Sequence, residues 1–373
     1  MIVVDCGSSG TRIYHVGRDK NRILFCKKIG AKLPKIDKIL PQKRTDPEYE
    51  KFIHDLENIC TSLKASSFVL GASAGLRAAK ASGTVTDDDV QRFRDALPET
   101  MRFSEVPEDR EAELEFIVGH CLVEECFPFF CSSHFTSAGM GMVSMGGRSM
   151  QFVSQSPPPE SKVVCKSIPF AAHSACEFFC QFHREVGKGD SKKRGYPDRI
   201  VISDERIEEM KEKVSHLCQE MQMPPMEGLI LGITGCAKVA AFCDLEGKLV
   251  NQKEALIACD IKIKMIRDME WTYGISYEKP FGDNEAELLN PFRSTLGALA
   301  KTLTLRHVLS LMMSDNSETT RLFCMRKWKQ RGTSPSDKGM DTEWSLGPFV
   351  EREKVASDGG QAFKTLSGNP SKK

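Results

Sequence analysis

The sequence predicts an α/β protein of two domains in which one strand-and-helix unit occurs twice, with a cleft between the copies. Three observations carry that expectation. The chain has 373 residues, enough for two domains. Two short apolar runs bend back on themselves through glycine-bearing turns, at residues 2–16 and 141–153. Each hairpin is followed by a third strand and then by segments with helical spacing, so the order of elements repeats although the residues do not.

The first hairpin joins Ile2, Val3 and Val4, ending on Asp5, to Ile13, Tyr14 and Val16. Residues 22–28 read as a third strand. Asp46 and Pro47 then supply a cap and a first-turn proline, and Tyr49, Phe52, Ile53, Leu56, Ile59, Cys60 and Leu63 recur at helical spacing. Phe68, Val69 and Leu70 form a short buried strand that runs into a small-residue segment, Gly71 to Arg77. A charged helix follows over residues 88–97, a strand over 101–106 and a helix over 109–123. Three strands, then helix, strand, helix, strand, helix is the order of a ribonuclease-H-like domain, which places the first domain at residues 1–125.

The pattern then restarts. Residues 141–153 read as strand, turn, strand with a glycine pair at the bend, and residues 162–168 as a third strand. Helices are expected over 173–186 and over 205–221, the second with Ile207, Met210, Val214 and Leu217 on its apolar face. A fourth strand covers 228–234 and ends in a small-residue turn before a helix over 237–242. The polar stretch 187–199 reads as a loop insertion. Asn290 and Pro291 open a last helix with Leu296, Leu299, Leu303, Leu305, Val308 and Leu311 on its apolar side. That places the second domain at residues 126–313. Two ribonuclease-H-like units in series are the order of the duplicated actin-like ATPase fold, whose phosphate site lies in the interdomain cleft. From residue 314 the composition turns to Ser, Thr, Gly, Lys and Asp. The tail to 373 reads as largely disordered, with 323–328 a short docking segment.

Bulk composition narrows the function. Forty per cent hydrophobic residues support a true core, and 52 basic against 51 acidic residues leave a net charge of +1. That balance argues against nucleic acid or an anionic membrane as partner, so local sites must supply any phosphate affinity. No apolar run approaches the roughly 20 residues that cross a bilayer, and no signal peptide precedes the first strand. The expected location is therefore cytoplasmic as written, or a secretory lumen or membrane anchor if a leader precedes Met1. Fourteen cysteines are scattered through expected strands and helices with no Asn-X-Ser/Thr sequon, which fits reduced, buried thiols.

The tip of the first hairpin has a chemical use. Gly7 and Gly10 let backbone come close to a ligand, and consecutive N–H groups can surround an anion. Ser8, Ser9, Thr11 and Arg12 add donors suited to phosphate oxygens. Asp5 can hold a hydrated cation, Mg²⁺ or Ca²⁺. At the second bend, Gly146 and Gly147 would bring N–H groups to a phosphate from the opposite side.

These residues carry a resemblance. The run Asp5-Cys6-Gly7-Ser8-Ser9-Gly10-Thr11-Arg12 resembles the first conserved region of the apyrase family of nucleoside phosphatases (nucleoside triphosphate diphosphohydrolases). More distantly it is similar to the loop of the exopolyphosphatase/guanosine-pentaphosphatase family, which usually has Asn-Ser at Ser9-Gly10. Residues 71–77 resemble the second region, with Ser73 in place of Thr. Residues 109–114 resemble the third, usually Glu-Glu-Gly or Glu-Glu-Ala. Residues 144–151 resemble the fourth, Asp-Leu-Gly-Gly-Ala-Ser-Thr-Gln, with Gly146, Gly147, Ser149 and Gln151 matching. Residues 232–235 fall where a fifth region belongs, and the resemblance implies that the last helix, opened by Asn290 and Pro291, returns to the first domain.

The resemblance implies a nucleoside tri- or diphosphate as substrate, with metal-assisted attack of water on the terminal phosphate. Glu111 would be the catalytic base, and Asp5 would hold the metal through water. Ser8, Ser9, Gly10, Thr11, Arg12, Ser73, Ala74, Gly75, Gly146, Gly147, Ser149 and Gln151 would hold the phosphates. A carboxylate near a helix N-terminus is also favoured by the helix dipole, which explains Asp109 and Glu113 equally well. Two departures stand out: Ser144 replaces the Asp expected to hold the metal, and Arg148 replaces a small residue. An exopolyphosphatase or guanosine-pentaphosphate phosphatase is the enzymatic alternative, favoured by Glu111-Ala112. A nucleotide-binding pseudoenzyme with a scaffolding role is the other, favoured by Ser144. Trp271, Tyr273 and Tyr277 are candidates for stacking on a base, although such clusters more often pack in a core.

Overall fold

The computed structural model describes residues 1–7, 10–19, 24–63, 68–131, 137–157, 159–182, 197–200, 203–223, 225–273, 295–316, 318–328 and 347–357. Two compact units result. The first takes Met1–Val106, Glu113–Glu125 and Gln330–Lys373, and the second Pro107–Ala112 and Cys126–Lys329.

In the first unit β1 (Ile2–Gly7), β2 (Gly10–Arg18) and β3 (Leu24–Leu33) form an antiparallel meander, with Asp5 opposite Arg12 and Gly7 opposite Gly10. β3 runs past the expected 22–28 because Leu33 and Ile29 pack on the core and Leu33 pairs with Thr11. β4 (Phe68–Ala72) lies parallel to β1, and β5 (Met101–Glu105) parallel to β4, giving the order β3-β2-β1-β4-β5. The helices are α1 (Ile36–Ile39), α2 (Pro47–Leu63), α3 (Ala74–Ala81), α4 (Asp87–Arg94) and α5 (Glu108–Cys126). Thr86 and Asp89 close a capping box at the start of α4. Tyr49, Phe52 and Leu56 of α2 share one core with Val90 and Phe93 of α4 and with Ile2, Val4 and Leu70 of the sheet. Each such side chain contributes about 1.5–3 kcal/mol on burial.

The second unit opens with α6 (Pro128–Cys131). β6 (Met140–Met145), β7 (Met150–Gln155) and β8 (Val163–Ile168) repeat the antiparallel meander, with Ser144 opposite Gln151. α7 (Ala172–Phe179) is shorter than the expected 173–186. β9 (Cys180–Phe182) follows it directly and pairs with β10 (Pro197–Ile200). The expected loop insertion thus contains a strand, since pairing across the insertion leaves no local periodic signal; residues 187–196 lie outside the described part. α8 (Asp204–Met221), β11 (Leu229–Thr234), α9 (Gly235–Phe242) and β12 (Leu249–Val250) come next. α10 (Gln252–Tyr273) is a 22-residue helix in a stretch that sequence patterning leaves unassigned. α11 (Thr295–Met312) buries Leu299, Leu303, Leu305 and Val308 in the core of this second unit. It was expected to return to the first domain; packing against α10, α7 and α8 keeps it with the second.

β13 (Arg321–Cys324) corrects the expectation of a disordered tail. It pairs parallel with β11 and antiparallel with β12, so the sheet order is β12-β13-β11-β6-β7-β8. Phe323 and Trp328 are buried and meet Phe127 edge to face, so these two side chains anchor residues 323–328 in the core of their own unit while Arg326 and Lys327 stay exposed. α12 (Gly347–Ser357) belongs to the first unit, where Glu353 pairs with Arg18 and Gly347 sits against Leu114. The other tail residues fall outside the described part. The meander and two parallel strands of the first sheet recur as β8-β7-β6-β11-β13 in the second. This is a duplicated, actin-like two-domain α/β fold. Among the described residues no helix is long and apolar enough to cross a membrane, and the cysteines whose side chains are described are free thiols.

Candidate functional site

In each unit the parallel strands end at one edge of the sheet, the side where open α/β sheets take their ligands. In the first unit that edge holds the end of β1, the start of α3 and the end of β5. In the second it holds the turn from β6 to β7 and the step from β11 to α9.

Asp5 lies on β1 and is only 5 % exposed. Its Oδ2 is 3.5 Å from Nη1 of Arg12, directly across the hairpin. Thr11 is buried, and its hydroxyl donates to the Pro34 carbonyl at 2.6 Å. That bond ties β2 to the end of β3, so this hydroxyl serves the fold where a phosphate contact was expected. Gly10 pairs with Gly7 at the start of β2. Ser8 and Ser9 lie outside the described residues. Burial, with the Asp5 charge adding to it, pushes the Cys6 thiol up, so Cys6 stays protonated.

Ser73 is the buried N-cap residue of α3, and its carbonyl accepts from the N–H groups of Leu76 and Arg77. Ala74 and Gly75 form the first turn of that helix. Arg77 donates from Nη1 to the Val106 carbonyl at 2.6 Å, a bond that ties α3 to the end of β5.

Glu111 sits in the first turns of α5, 8 % exposed, its N–H donating to the Pro107 carbonyl at 2.9 Å. Burial separates it from its neighbours: Asp109 is exposed, and Glu108 and Glu113 are half-buried. Glu115 is buried as well, one turn along α5, and motif matching did not single it out. Helical spacing from Glu111 is the signal that finds it.

The second turn is built differently from the expectation. The N–H of Gly146 donates to the Ser149 carbonyl at 3.0 Å, and the carbonyl of Gly147 accepts from the His173 N–H at 2.7 Å. The Gly146 amide is therefore committed within the turn, where a phosphate contact was expected. Gln151 donates to the Ser149 hydroxyl at 2.8 Å, and both side chains are buried. Arg148 pairs with Glu177 of α7 at 2.6 Å. Ser144 is fully buried and bonds the Thr234 hydroxyl at 2.9 Å. Thr234, from the loosely matching fifth region, is thus joined to the position where an Asp was expected. The side chains of Trp271 and Tyr273, and all of Tyr277, fall outside the described part.

Among the described residues no group of three or more His, Cys, Asp and Glu is placed to hold a metal ion. Asp5 supplies one buried carboxylate at the first loop. That donor set fits a Mg²⁺ ion held through water and substrate phosphates better than Ca²⁺, which takes about six to eight oxygens. A pocket of about 630 Å³ lined by Ser154, Gln155, Glu227 and Asp315 opens at the opposite end of the second sheet, away from Ser144 and Gly146.

No protein-family model matches the chain, and no curated protein matches it in sequence. Solved structures do. A Ppx/GppA family member from Aquifex aeolicus superposes with a TM-score of 0.56 at 14 % identity, over 96 % of this chain and 97 % of that one. The fold is that of the Ppx/GppA proteins. An exopolyphosphatase-like protein matches with a TM-score of 0.54 at 12 % identity, over 95 % of this chain and 98 % of that one. An exopolyphosphatase from Cytophaga hutchinsonii matches with a TM-score of 0.51 at 12 % identity, over 97 % and 98 %. Likeness to the Ppx/GppA fold runs from end to end. The apyrase resemblance remains one of short motifs.

Proposed function

We propose that this chain is a phosphoanhydride hydrolase acting on the terminal phosphate of inorganic polyphosphate or of guanosine pentaphosphate. The supporting observation is the likeness in fold to Ppx/GppA proteins over 96 % of the chain. Asp5, Arg12 and Glu111 give that fold chemistry of the required kind.

In this reading Glu111 accepts a proton from water as the water oxygen bonds to the terminal phosphorus. The bridging P–O bond breaks, and the shortened phosphate chain leaves with the bridging oxygen. Arg12 and the backbone of the first loop neutralise the charge that grows on the phosphoryl oxygens. Asp5 would hold a water of a divalent cation, preferably Mg²⁺. When bound, such an ion supplies further neutralisation of the phosphates.

A second reading, a nucleoside tri- or diphosphatase, is favoured by one observation: the run Ser9-Gly10-Thr11-Arg12 fits the apyrase loop better than the Asn-Ser form. Phosphate release from polyphosphate, guanosine pentaphosphate, ATP, ADP, GTP, GDP and UDP separates the two. Each is assayed with Mg²⁺, Ca²⁺ or chelator and repeated with Glu111→Gln. The expected result is release from polyphosphate or pentaphosphate that Glu111→Gln abolishes. Release from nucleoside di- and triphosphates alone establishes the second reading. Nucleotide binding with no release under any condition overturns both and establishes the pseudoenzyme.

A further inference from the structure

Among the described non-glycine residues that end a strand, Thr234 alone has a positive φ. It closes β11 and precedes α9 with φ 54° and ψ −116°. A β-branched residue takes such a left-handed backbone only where its surroundings hold it there. Here the surroundings are specific. The Thr234 hydroxyl donates to the Met145 carbonyl at 3.0 Å and accepts from the Met145 N–H at 3.0 Å. With that proton committed, the 2.9 Å bond to Ser144 has Ser144 as donor. The following residue closes the remaining space, since a Cβ on Gly235 would come 2.5 Å from the Met145 carbonyl oxygen.

A strained hydroxyl residue between a strand and a helix is also the form of a nucleophile elbow. This hydroxyl bonds peptide groups and a second hydroxyl rather than a base, so it is not activated for attack. Nor does the duplicated fold demand the strain. Ser73, the N-cap residue of α3 in the first unit, has φ −109° and ψ −136°. What distinguishes Thr234 is its target: Met145 ends β6 and leads directly into the Gly146-Gly147-Arg148-Ser149 turn.

We infer that Thr234 is a positioning residue that fixes the end of β6 and with it the turn, whose Gly146 amide is already spent on Ser149, so that the N–H groups after Gly146 are held ready for a phosphate. The inference rests on the reading of the chain as a phosphoanhydride hydrolase. Ser144 completes it. A carboxylate at that position would draw the Thr234 proton away from the Met145 carbonyl, whereas serine donates and leaves both Met145 peptide groups satisfied.

Three variants test this. Thr234→Val keeps shape and branching but removes the hydroxyl, Thr234→Ser keeps the hydroxyl, and Ser144→Ala removes only the donor. Each is measured for phosphate release from tripolyphosphate, separating KM from kcat, and for amide hydrogen exchange over residues 145–149. Thr234→Val is expected to raise KM and local exchange by about tenfold or more, because two peptide groups lose their partner. Thr234→Ser is expected to stay within about threefold of the native protein in both, and Ser144→Ala to raise exchange by about threefold. Unchanged exchange and KM in Thr234→Val overturn the inference, as does failure of serine to rescue. If Thr234→Val does not fold, Ser144→Ala decides, and unchanged exchange there overturns it. If the native protein releases no phosphate from any substrate, the hydrolase reading fails, and the exchange measurement alone still decides the role of Thr234.

Discussion

The two units share a sheet order but spend their loops differently. At the end of β1 the first unit buries a carboxylate, Asp5, with Arg12 opposite it. At the equivalent place on β6 the second unit buries a neutral hydroxyl, Ser144, and turns it inward to Thr234. Arg148 of the second turn is paired with Glu177 of its own unit. The difference teaches that a glycine hairpin is only a scaffold. Charge decides what it can do, and of the two hairpins the first carries the buried carboxylate, the second a neutral hydroxyl in its place.

Replacement of the proposed base, Glu111, which falls in the Pro107–Ala112 segment of the second unit, is the harshest test of the hydrolase reading. Glu111→Gln should lower kcat by about 10²–10⁴-fold, whereas Glu113→Gln should stay within about twofold. Steady-state phosphate release checks both, and equal losses would break the assignment. Asp5→Asn should lower the rate by about tenfold to a hundredfold and raise the Mg²⁺ needed for half-maximal rate. Ser144→Asp is the reciprocal change. It should lower that Mg²⁺ requirement and raise the rate by a few fold, at a stability cost of about 1–3 kcal/mol from the buried charge and the lost Met145 bond. A Mg²⁺ titration with a urea melt decides; no change in rate or metal response would mean that the second unit is indifferent to charge at this position.

Two further tests probe stability in each unit. In the second, burial, with Lys238 adding to it, pushes Lys301 down from the ordinary 10.5 to about 8. Between those values the unfolded chain binds more protons than the folded one, so this group makes stability rise with pH across that window. Lys301→Met should therefore stabilise the protein at pH 7 by about 1–3 kcal/mol, and the gain should fade as pH rises toward 10.5. Urea melts at several pH values check this. In the first unit, Arg18 holds Glu353 at 2.8 Å and Glu125 at 2.7 Å. Arg18→Ala should cost about 1 kcal/mol and speed proteolysis within α12.

The local parts of this protein were determined by its sequence. β-branched runs flanking Gly7-Ser8-Ser9-Gly10 specify a hairpin, and spacing such as Tyr49, Phe52, Leu56 specifies an amphipathic helix. Those signals act over a few residues, and they suffice for the two meanders, the strands Phe68–Ala72, Met101–Glu105 and Leu229–Thr234, and helices such as Pro47–Leu63. Other features depend on partners far along the chain. Arg321–Cys324 becomes a strand because β11 and β12 flank it in the sheet, and α12 docks through an ion pair 335 residues away in sequence. The choice of Glu111 and Glu115 over Asp109 is a matter of which side of α5 is buried. Thr234 adopts a backbone that its own residue type opposes, because Ser144 and Met145 hold its hydroxyl. Only the tertiary structure decides such points, since burial, strand pairing and ion pairs are made between segments whose local sequences carry no trace of one another.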